Sequence, residues 1–353
     1  MRIKLYKTIA IIMLLPFCAL ANPIDGKFTK ERKIQKTYLV NTEASLDVIN
    51  TYGSINISVW NENKTSIEVT IKVSGNNKDE VEQKFESISV LMGGDKNNIT
   101  AKTVFGRDTR SRSSMNIEVN YAIKIPKNGN VKLNNKYGGI IIDKLWGKSD
   151  IVCRYGPLSI NELQNDMNAI SLEYSNNSSF GYIKGGNLVA KYSDFIITKA
   201  DKLVLKSDYT SGVISNVSNL NYTAEYGKIK VDNADQVDGS GDYLTIVLGD
   251  ISKQLNLTTS YSRVSVNEMG PKAKDVKIAA KYTNIKIGHN PNYAFDFEFN
   301  LKYGNLKSNS NLEIQTKKEV NNKTSYYKGY YKSSGVNSMN IDTEYGNINI
   351  TKN

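Results

Sequence analysis

The sequence predicts an all-β fold: a single-chain β-solenoid, parallel β-helix-like, of about eleven coils, with a β-rich N-terminal region containing one short helix. Three observations carry this expectation. A tyrosine followed in most copies by Gly, Ser or Thr recurs at Tyr52, Tyr137, Tyr155, Tyr174, Tyr192, Tyr209, Tyr226, Tyr243, Tyr261, Tyr282, Tyr303 and Tyr345. From Tyr137 to Tyr261 the intervals are 18, 19, 18, 17, 17, 17 and 18 residues, followed by 21, 21 and 42. Self-similarity at such a period means stacked copies of one supersecondary unit. The apolar residues around each tyrosine then follow the two-residue period of a strand rather than the helical one.

The chain opens with a basic stretch, Arg2, Lys4 and Lys7, then an apolar run from Ile9 to Leu20, then Ala19-Leu20-Ala21. That order predicts a secretory signal peptide over residues 1–21. The run is shorter than the ~20 residues needed to span a bilayer. Cys18 has Phe17 before it, where a lipoprotein cysteine needs a small residue. After cleavage the chain carries 43 basic and 35 acidic residues, a net +8, and one cysteine, Cys153. A secreted chain with one cysteine has no internal disulfide. Cys153 is in step with Ile151, as a small core residue is. The basic balance suits anionic partners, but no dense Lys/Arg block or binding motif points to nucleic acid.

Residues 22–128 form the expected N-terminal cap region. Alternating segments lie at 37–49, 54–59, 66–73, 99–104 and 115–125. Between them, Val81, Phe85 and Ile88 recur at helical spacing within 77–91, with acids in the first turn where the dipole favours them. This predicts one amphipathic helix, placed to cap an end whose strand edges are otherwise unpaired.

Residues 129–353 form the expected repeats. Four residues before the tyrosine the side chain is apolar in eleven of twelve copies, Gly239 being the exception. Positions +3 and +5 are both apolar in nine; Tyr174, Tyr209 and Tyr303 break the pattern. Even spacing puts −4 and the tyrosine on one face, so the ring is expected on the core side as the last residue before a corner. The step from 0 to +3 is odd, so the chain must bend between them, and the small residue at +1 suits the bend. A polar insert, 316–335, contains Tyr326, Tyr327, Tyr330 and Tyr331 among lysines and reads as one coil with an excursion. The final repeat runs to Asn353, so that end is expected to be less protected than the other, with no transmembrane segment or barrel expected after it.

The exported N-terminus, the early helix after Val73, the tandem G-x-I-x-I units and the run from Met339 to Ile350 together resemble the bacterial putative adhesin family of β-strand-repeat proteins. That family is related to the head domain of putative autotransporter adhesins. The resemblance spans most of the chain after residue 21. It implies an extracytoplasmic solenoid and little chemistry.

Candidate chemistry is sparse. His289, the only histidine, sits in Gly288-His-Asn-Pro291 and reads as an exposed turn residue. With no second histidine, triad and His-cluster metal designs have one residue to use. The acidic stretch Asp232, Asp235, Asp238 and Asp242 fits no calcium-loop spacing and reads as a turn. Arg107, Arg110 and Arg112 read as a hairpin loop. The residues preceding the tyrosines, Lys136, Arg154, Glu173, Lys191, Asp208, Glu225, Asp242, Ser260, Lys281, Lys302 and Glu344, predict a mixed-charge row along one outer face. No catalytic residue, cofactor or metal site is assigned. The expected role is a non-enzymatic secreted envelope or surface protein, a rigid scaffold binding glycan, envelope polymer or protein. A carbohydrate-active enzyme of the lyase or glycosidase kind on the same framework, and a structural protein that self-associates end to end, remain alternatives. The expected location is periplasm, cell surface or medium.

Overall fold

In the computed structural model, which describes residues 26–106, 115–320 and 323–353, strands dominate and a single helix interrupts them. The expected signal peptide and the cluster Arg107, Arg110 and Arg112 lie outside the described residues. The 23 described strands join into one sheet wrapped around a single apolar core. Pairing follows the repeat. Leu133 lies opposite Ile151, Ile151 opposite Ile170, Ile170 opposite Leu188 and Leu188 opposite Leu205, all in parallel register. These are the −4 residues. The +3 residues pair in the same way, Ile140 with Leu158 and Val264 with Ile285. Equivalent side chains therefore stack on one another at the strand spacing, roughly 4.8 Å. A parallel ladder buried on its inner face needs this continuous supply of Val, Leu and Ile.

The corner lies at the tyrosine itself. All twelve have left-handed backbone, with φ between 48° and 62°. This corrects the expected placement of the rings on the core side: each ring is 40–51% exposed. The reason is geometric. A left-handed residue turns the chain and throws its own side chain outward, so burial ends at −2 and resumes after the tyrosine, at +1 where Ser175, Ser193, Thr210, Leu244 or Thr283 follows and otherwise at +3. The odd step is explained by that turn, without a bend at +1. For a bulky L-residue the left-handed region costs about 1–2 kcal/mol. Two sets of contacts offset it. The tyrosine N–H continues the ladder, as from Tyr137 to Arg154 O (3.0 Å) and from Tyr192 to Asp208 O (3.0 Å). The rings also stack, which is worth about 0.5–1.5 kcal/mol per pair beyond area burial, toward the lower end for half-exposed rings.

The carbonyls around each corner are satisfied in two ways. Where Ser or Thr follows the tyrosine, its hydroxyl donates back to the carbonyl two residues earlier: Ser193 Oγ to Lys191 O at 2.7 Å, Thr283 Oγ1 to Lys281 O at 2.8 Å. Where Gly53, Gly138 or Gly156 follows, the −2 side chain reaches over instead. Asn135 Nδ2 donates to Gly53 O (2.8 Å) and Gly139 O (2.9 Å), and Cys153 Sγ to Gly156 O at 3.3 Å. Cys153 is buried, and burial pushes its thiol up to about 11.

Three irregular repeats have compensations. Gly239, at a −4 position, faces the buried ring of Tyr222 in the neighbouring repeat; a Cβ there would stand 2.2 Å from Tyr222 Cζ. Gly212 makes the same room for Phe195. After Tyr174 an extra residue, Asn177 at φ 59°, shifts the buried pair to Ser178 and Phe180.

At the N-terminal end, Ser45–Thr51 pairs with both Asn130–Lys136 and Asn98–Phe105, and Ile55–Trp60 pairs with both Ile140–Leu145 and Met115–Pro126. The stack thus begins at Ser45 and skips to residue 130. The intervening chain covers its end with antiparallel strands Phe28–Leu39, Lys64–Gly75 and Met115–Pro126 on one side, and Ile88–Gly94 and Asn98–Phe105 on the other. The helix is Lys78–Glu86, shorter than the expected 77–91. Asn77 caps it through Asp79 N (3.0 Å) and Glu80 N (3.3 Å), and Ser87 Oγ closes it on Lys84 O at 2.7 Å. Val81 and Phe85 are buried as the pattern requires; Ile88 is also buried, but from the strand that follows.

The C-terminal end departs from sequence order. Ser338–Glu344 pairs in parallel with Val276–Lys281 on one side and with Phe295–Lys302 on the other. Ile348–Lys352 lies in the same way between Asn284–His289 and Leu306–Ser308. The segment 338–352 is therefore inserted between two repeats that precede it in the chain. The expected extra coil at 316–335 is an antiparallel hairpin instead: Thr324–Tyr331 pairs with Phe295–Lys302 and with Glu313–Val320, covering the end. His289 is fully buried here rather than exposed in a turn. Its Nδ1–H donates to Asn290 O (3.1 Å), which leaves Nε2 to accept from Ser310 Oγ (2.7 Å). The rings of Phe295 and Tyr331 meet it edge-on.

Three expectations follow from this packing. Tyr192→Ala keeps the left-handed strain and loses two ring contacts, whereas Tyr192→Gly loses the contacts and the strain together. The glycine variant is expected to unfold in urea about 1 kcal/mol later than the alanine variant. Equal midpoints would remove strain as the distinguishing factor. A chain ending at Gly335 loses Met339, Ile341, Ile348 and Ile350, all fully buried, which is on the order of 6–12 kcal/mol of apolar burial. It is expected to aggregate or lose its C-terminal repeats, read by size exclusion and thermal melting, and a peptide of residues 336–353 is expected to restore the melt. Burial, the largest cause, holds the His289 imidazole below its ordinary 6.5, with Lys352 acting in the same direction and Glu268 and the bond to Asn290 opposing. The folded state then binds fewer protons than the unfolded state, so this contribution is complete above pH ~6.5 and is lost as pH falls through the depressed value. Urea midpoints between pH 7.5 and 5.5 are expected to fall further for the wild type than for His289→Gln.

Candidate functional site: an exposed tyrosine ladder

The twelve rings form one unbroken row. In spatial order it runs Tyr52, Tyr137, Tyr155, Tyr174, Tyr192, Tyr209, Tyr226, Tyr243, Tyr261, Tyr282, Tyr345, Tyr303, with neighbouring centroids 4.6–5.2 Å apart. Between Tyr155 and Tyr303 successive planes lie within 8° of parallel. Eleven strand spacings make a stripe on the order of 50 Å long. Both ends are closed. Phe105 stands edge-on to Tyr52 at 5.7 Å, and Lys323 Nζ lies 5.9 Å from the Tyr303 centroid. Because each ring partly covers its neighbours' faces, the stripe offers solvent mainly ring edges and phenolic hydroxyls. An apolar body with a polar tip is the surface chemistry that aromatic contact residues supply.

The charged −1 row runs beside the ladder. Lys136 Nζ lies 4.6 Å from the centroid of Tyr137 and 5.8 Å from that of Tyr155. Arg154 Nε donates to Glu173 Oε2 at 3.0 Å across one repeat step. The inserted segment makes an alternation that sequence order hides. In sequence Lys281 precedes Lys302 by one period; in space Glu344 stands between them and binds Lys302 Nζ at 2.7 Å. That bond and the Lys281 charge hold the Glu344 carboxyl below the usual range. Three acids, Asp208, Glu225 and Asp242, fall on successive repeats between Lys191 and the Ser260 step. A groove of about 210 Å³ along this face is lined by Lys191, Asp208 and Glu225.

The other sequence candidates are spread over the molecule. In the acidic stretch, Asp235 accepts from Ser252 Oγ (2.6 Å) and Lys253 Nζ (2.9 Å), Asp238 from Asn256 Nδ2 (3.2 Å) and Gln236 Nε2 (2.9 Å), and Asp242 from Ser260 N (2.7 Å). Each carboxylate has its own partners, and among the described residues no three His, Cys, Asp or Glu converge as metal ligands do. Ser310 and His289 are as close as a nucleophile and its base, but both are buried, and the rings of Phe295 and Tyr331 stand against His289. In the late insert Tyr331 is buried, while Tyr326, Tyr327 and Tyr330 are half-buried on the covering hairpin. The −2 row went unnoticed in the sequence because it is mixed, leucine only at Leu172 and Leu301 and small or polar elsewhere: Asn50, Asn135, Cys153, Ala190, Ser207 and Thr259 all lie inside. Its signal was the near-absence of long or charged side chains two residues before each tyrosine. Among the described residues no helix is long and apolar enough to cross a membrane.

No protein-family model matches this chain, and no curated protein matches it. Among solved structures it is similar to a putative adhesin from Parabacteroides distasonis, at 9% identity over 91% of this chain and 97% of that one, with a TM-score of 0.34. It is similar to a putative adhesin from Parabacteroides merdae, at 11% identity over 90% and 96%, with a TM-score of 0.31. It is also similar to a putative cell adhesion protein from Clostridium sporogenes, at 13% identity over 92% and 100%, with a TM-score of 0.20.

Proposed function

We propose that this chain is an extracytoplasmic β-solenoid of about eleven coils, of the putative adhesin kind, that works without catalysis as a rigid scaffold for binding or adhesion. On this reading residues 1–21 are the signal peptide, 22–128 the cap region and 129–353 the coils, with Ser45–Trp60 supplying the first of the stack from within the cap region. The observation that carries the proposal is the ladder: twelve half-exposed tyrosines on one edge, each held in a strained backbone. A core needs no such row, since the −4, −2, +3 and +5 positions already fill it. A long stripe of ring edges and hydroxyls beside a mixed-charge row suits an extended partner such as a glycan, an envelope polymer or a protein strand. End-to-end self-association has less support, because the hairpin at Glu313–Val320 and Thr324–Tyr331 covers the end at which it was expected.

The test is to replace Tyr192, Tyr209 and Tyr226 together by Asn, which tolerates positive φ better than other non-glycine residues. Binding of the purified chain to isolated bacterial envelopes and to a glycan array is then measured. The expected result is a loss of about tenfold or more in binding, as for central aromatic contacts, with a cooperative melt retained. Unchanged binding to both surfaces sinks the ladder as the contact surface. Release of new reducing ends or unsaturated sugars from the array would turn the reading toward a carbohydrate-active enzyme.

A further inference from the structure

We infer that a second face of the stack, on the other side of the tyrosine ladder, is a binding groove for an acidic polysaccharide. The inference deepens the scaffold reading above by naming a ligand class for one surface. The groove has a volume of about 590 Å³ and lies over the four repeats nearest the C-terminal end. Arg263, Lys286 and Lys307 line it, all exposed, and no Asp or Glu does. Among the described residues none of the three makes an ion pair. That contrasts with the −1 row, where Arg154 and Lys302 are each paired with an acid one step away. Unpaired like charges side by side are unfavourable in an empty groove and favourable once an anion lies between them.

Asparagine amides fill the rest. Two residues after the tyrosines, Arg263 is followed up the stack by Asn284, Asn347 and Asn305. Asn347 donates from N and Nδ2 to Asn284 Oδ1 (both 3.1 Å), and Asn305 N donates to Asn347 Oδ1 (3.0 Å). Four residues after them, Lys286 and Lys307 stand on either side of Asn349. Lys286 and Lys307 are two strand spacings apart, ~10 Å, on the scale of a disaccharide. Cations at that interval, with amide donors and acceptors between them, match a chain of sugars that carries a carboxylate or sulfate on alternate units and hydroxyls on all. The groove has no aromatic ring on which nucleic-acid bases could stack. Asn347 and Asn349 come from the inserted segment, so the site exists only when 338–352 is in place.

The experiment titrates the purified chain with a polyuronate and with a sulfated glycan, using neutral dextran, single-stranded DNA and polyglutamate as comparators. Binding to at least one acidic glycan is expected, weakening by about tenfold or more as salt rises and screens the charges; the two glycans separate carboxylate from sulfate as the anion. Arg263→Glu/Lys286→Glu/Lys307→Glu is expected to lose at least ~10-fold in affinity, with an unchanged urea midpoint. Lys148→Glu/Lys184→Glu/Lys202→Glu changes the net charge equally and is expected to bind like the wild type. Equal loss in both triples, absence of acidic-glycan binding at low salt, competition by dextran, or equal affinity for DNA or polyglutamate would each overturn the inference. The Tyr192/Tyr209/Tyr226 variant keeps this groove intact. Its behaviour with the acidic glycan therefore separates failure of the groove from failure of the ladder.

Discussion

The left-handed tyrosine is the constraint on which everything else in the stack depends. One residue per repeat turns the chain and resets which side chains face inward. It also places a ring where the next repeat's ring must meet it. Individually this is unfavourable, since an aromatic L-residue resists positive φ. It persists because the same residue donates its N–H to the next repeat and shares ring contacts on both sides. Neither compensation is available to an isolated repeat, so the corner is stable only within the stack. This couples neighbouring repeats more tightly than core burial alone would, and it gives the molecule one continuous edge along its length.

Around that edge the structure separates three kinds of surface. Inside are ladders of aliphatic side chains with mostly small or polar residues at the corners, several of which, such as Asn135, Ser193 and Thr283, answer carbonyls. On one flank charges of both signs are mixed, with ion pairs at Arg154–Glu173 and Lys302–Glu344 and a run of three acids at Asp208, Glu225 and Asp242. On the other flank, near the C-terminal end, charges of one sign are left without partners and amides fill the gaps. The tyrosines divide the two flanks. The same fold therefore presents chemically different tracks on either side of one aromatic edge.

Much of this was legible in the sequence, and the failures are instructive. The repeat length, the −4, +3 and +5 ladders, the early helix and the mixed-charge row are local patterns, and local patterns survive translation into structure. The inward placement of the tyrosines failed because phase counting assumes regular strand backbone up to the counted residue; a single positive φ at that residue inverts the answer. Gly239 looked like a defect because its partner, Tyr222, lies a repeat away and is visible only once the two are stacked. The burial of His289 and the groove at Arg263, Lys286 and Lys307 depend on the inserted segment 338–352. No periodicity argument could find that insertion, because the chain leaves sequence order there. The doubled interval between Tyr303 and Tyr345 was its trace, and it reads equally well as an ordinary excursion.

That insertion sets an order of events during synthesis. Repeats from Asn130 to His289 each find the preceding repeat already made as they emerge, so the growing stack can extend one step at a time. The repeat at 295–308 does not: its partner strands are 338–352, which leave the ribosome only after the covering hairpin has been made. Until then a nascent chain carries an open slot bounded by two unsatisfied parallel edges. Filling the slot joins the ring row, the charge row and the core in one event. The insertion thus acts as a latch: a product broken off before residue 338 exposes two sticky edges and is distinguishable from finished protein, as substrate for proteases or chaperones, by that surface alone.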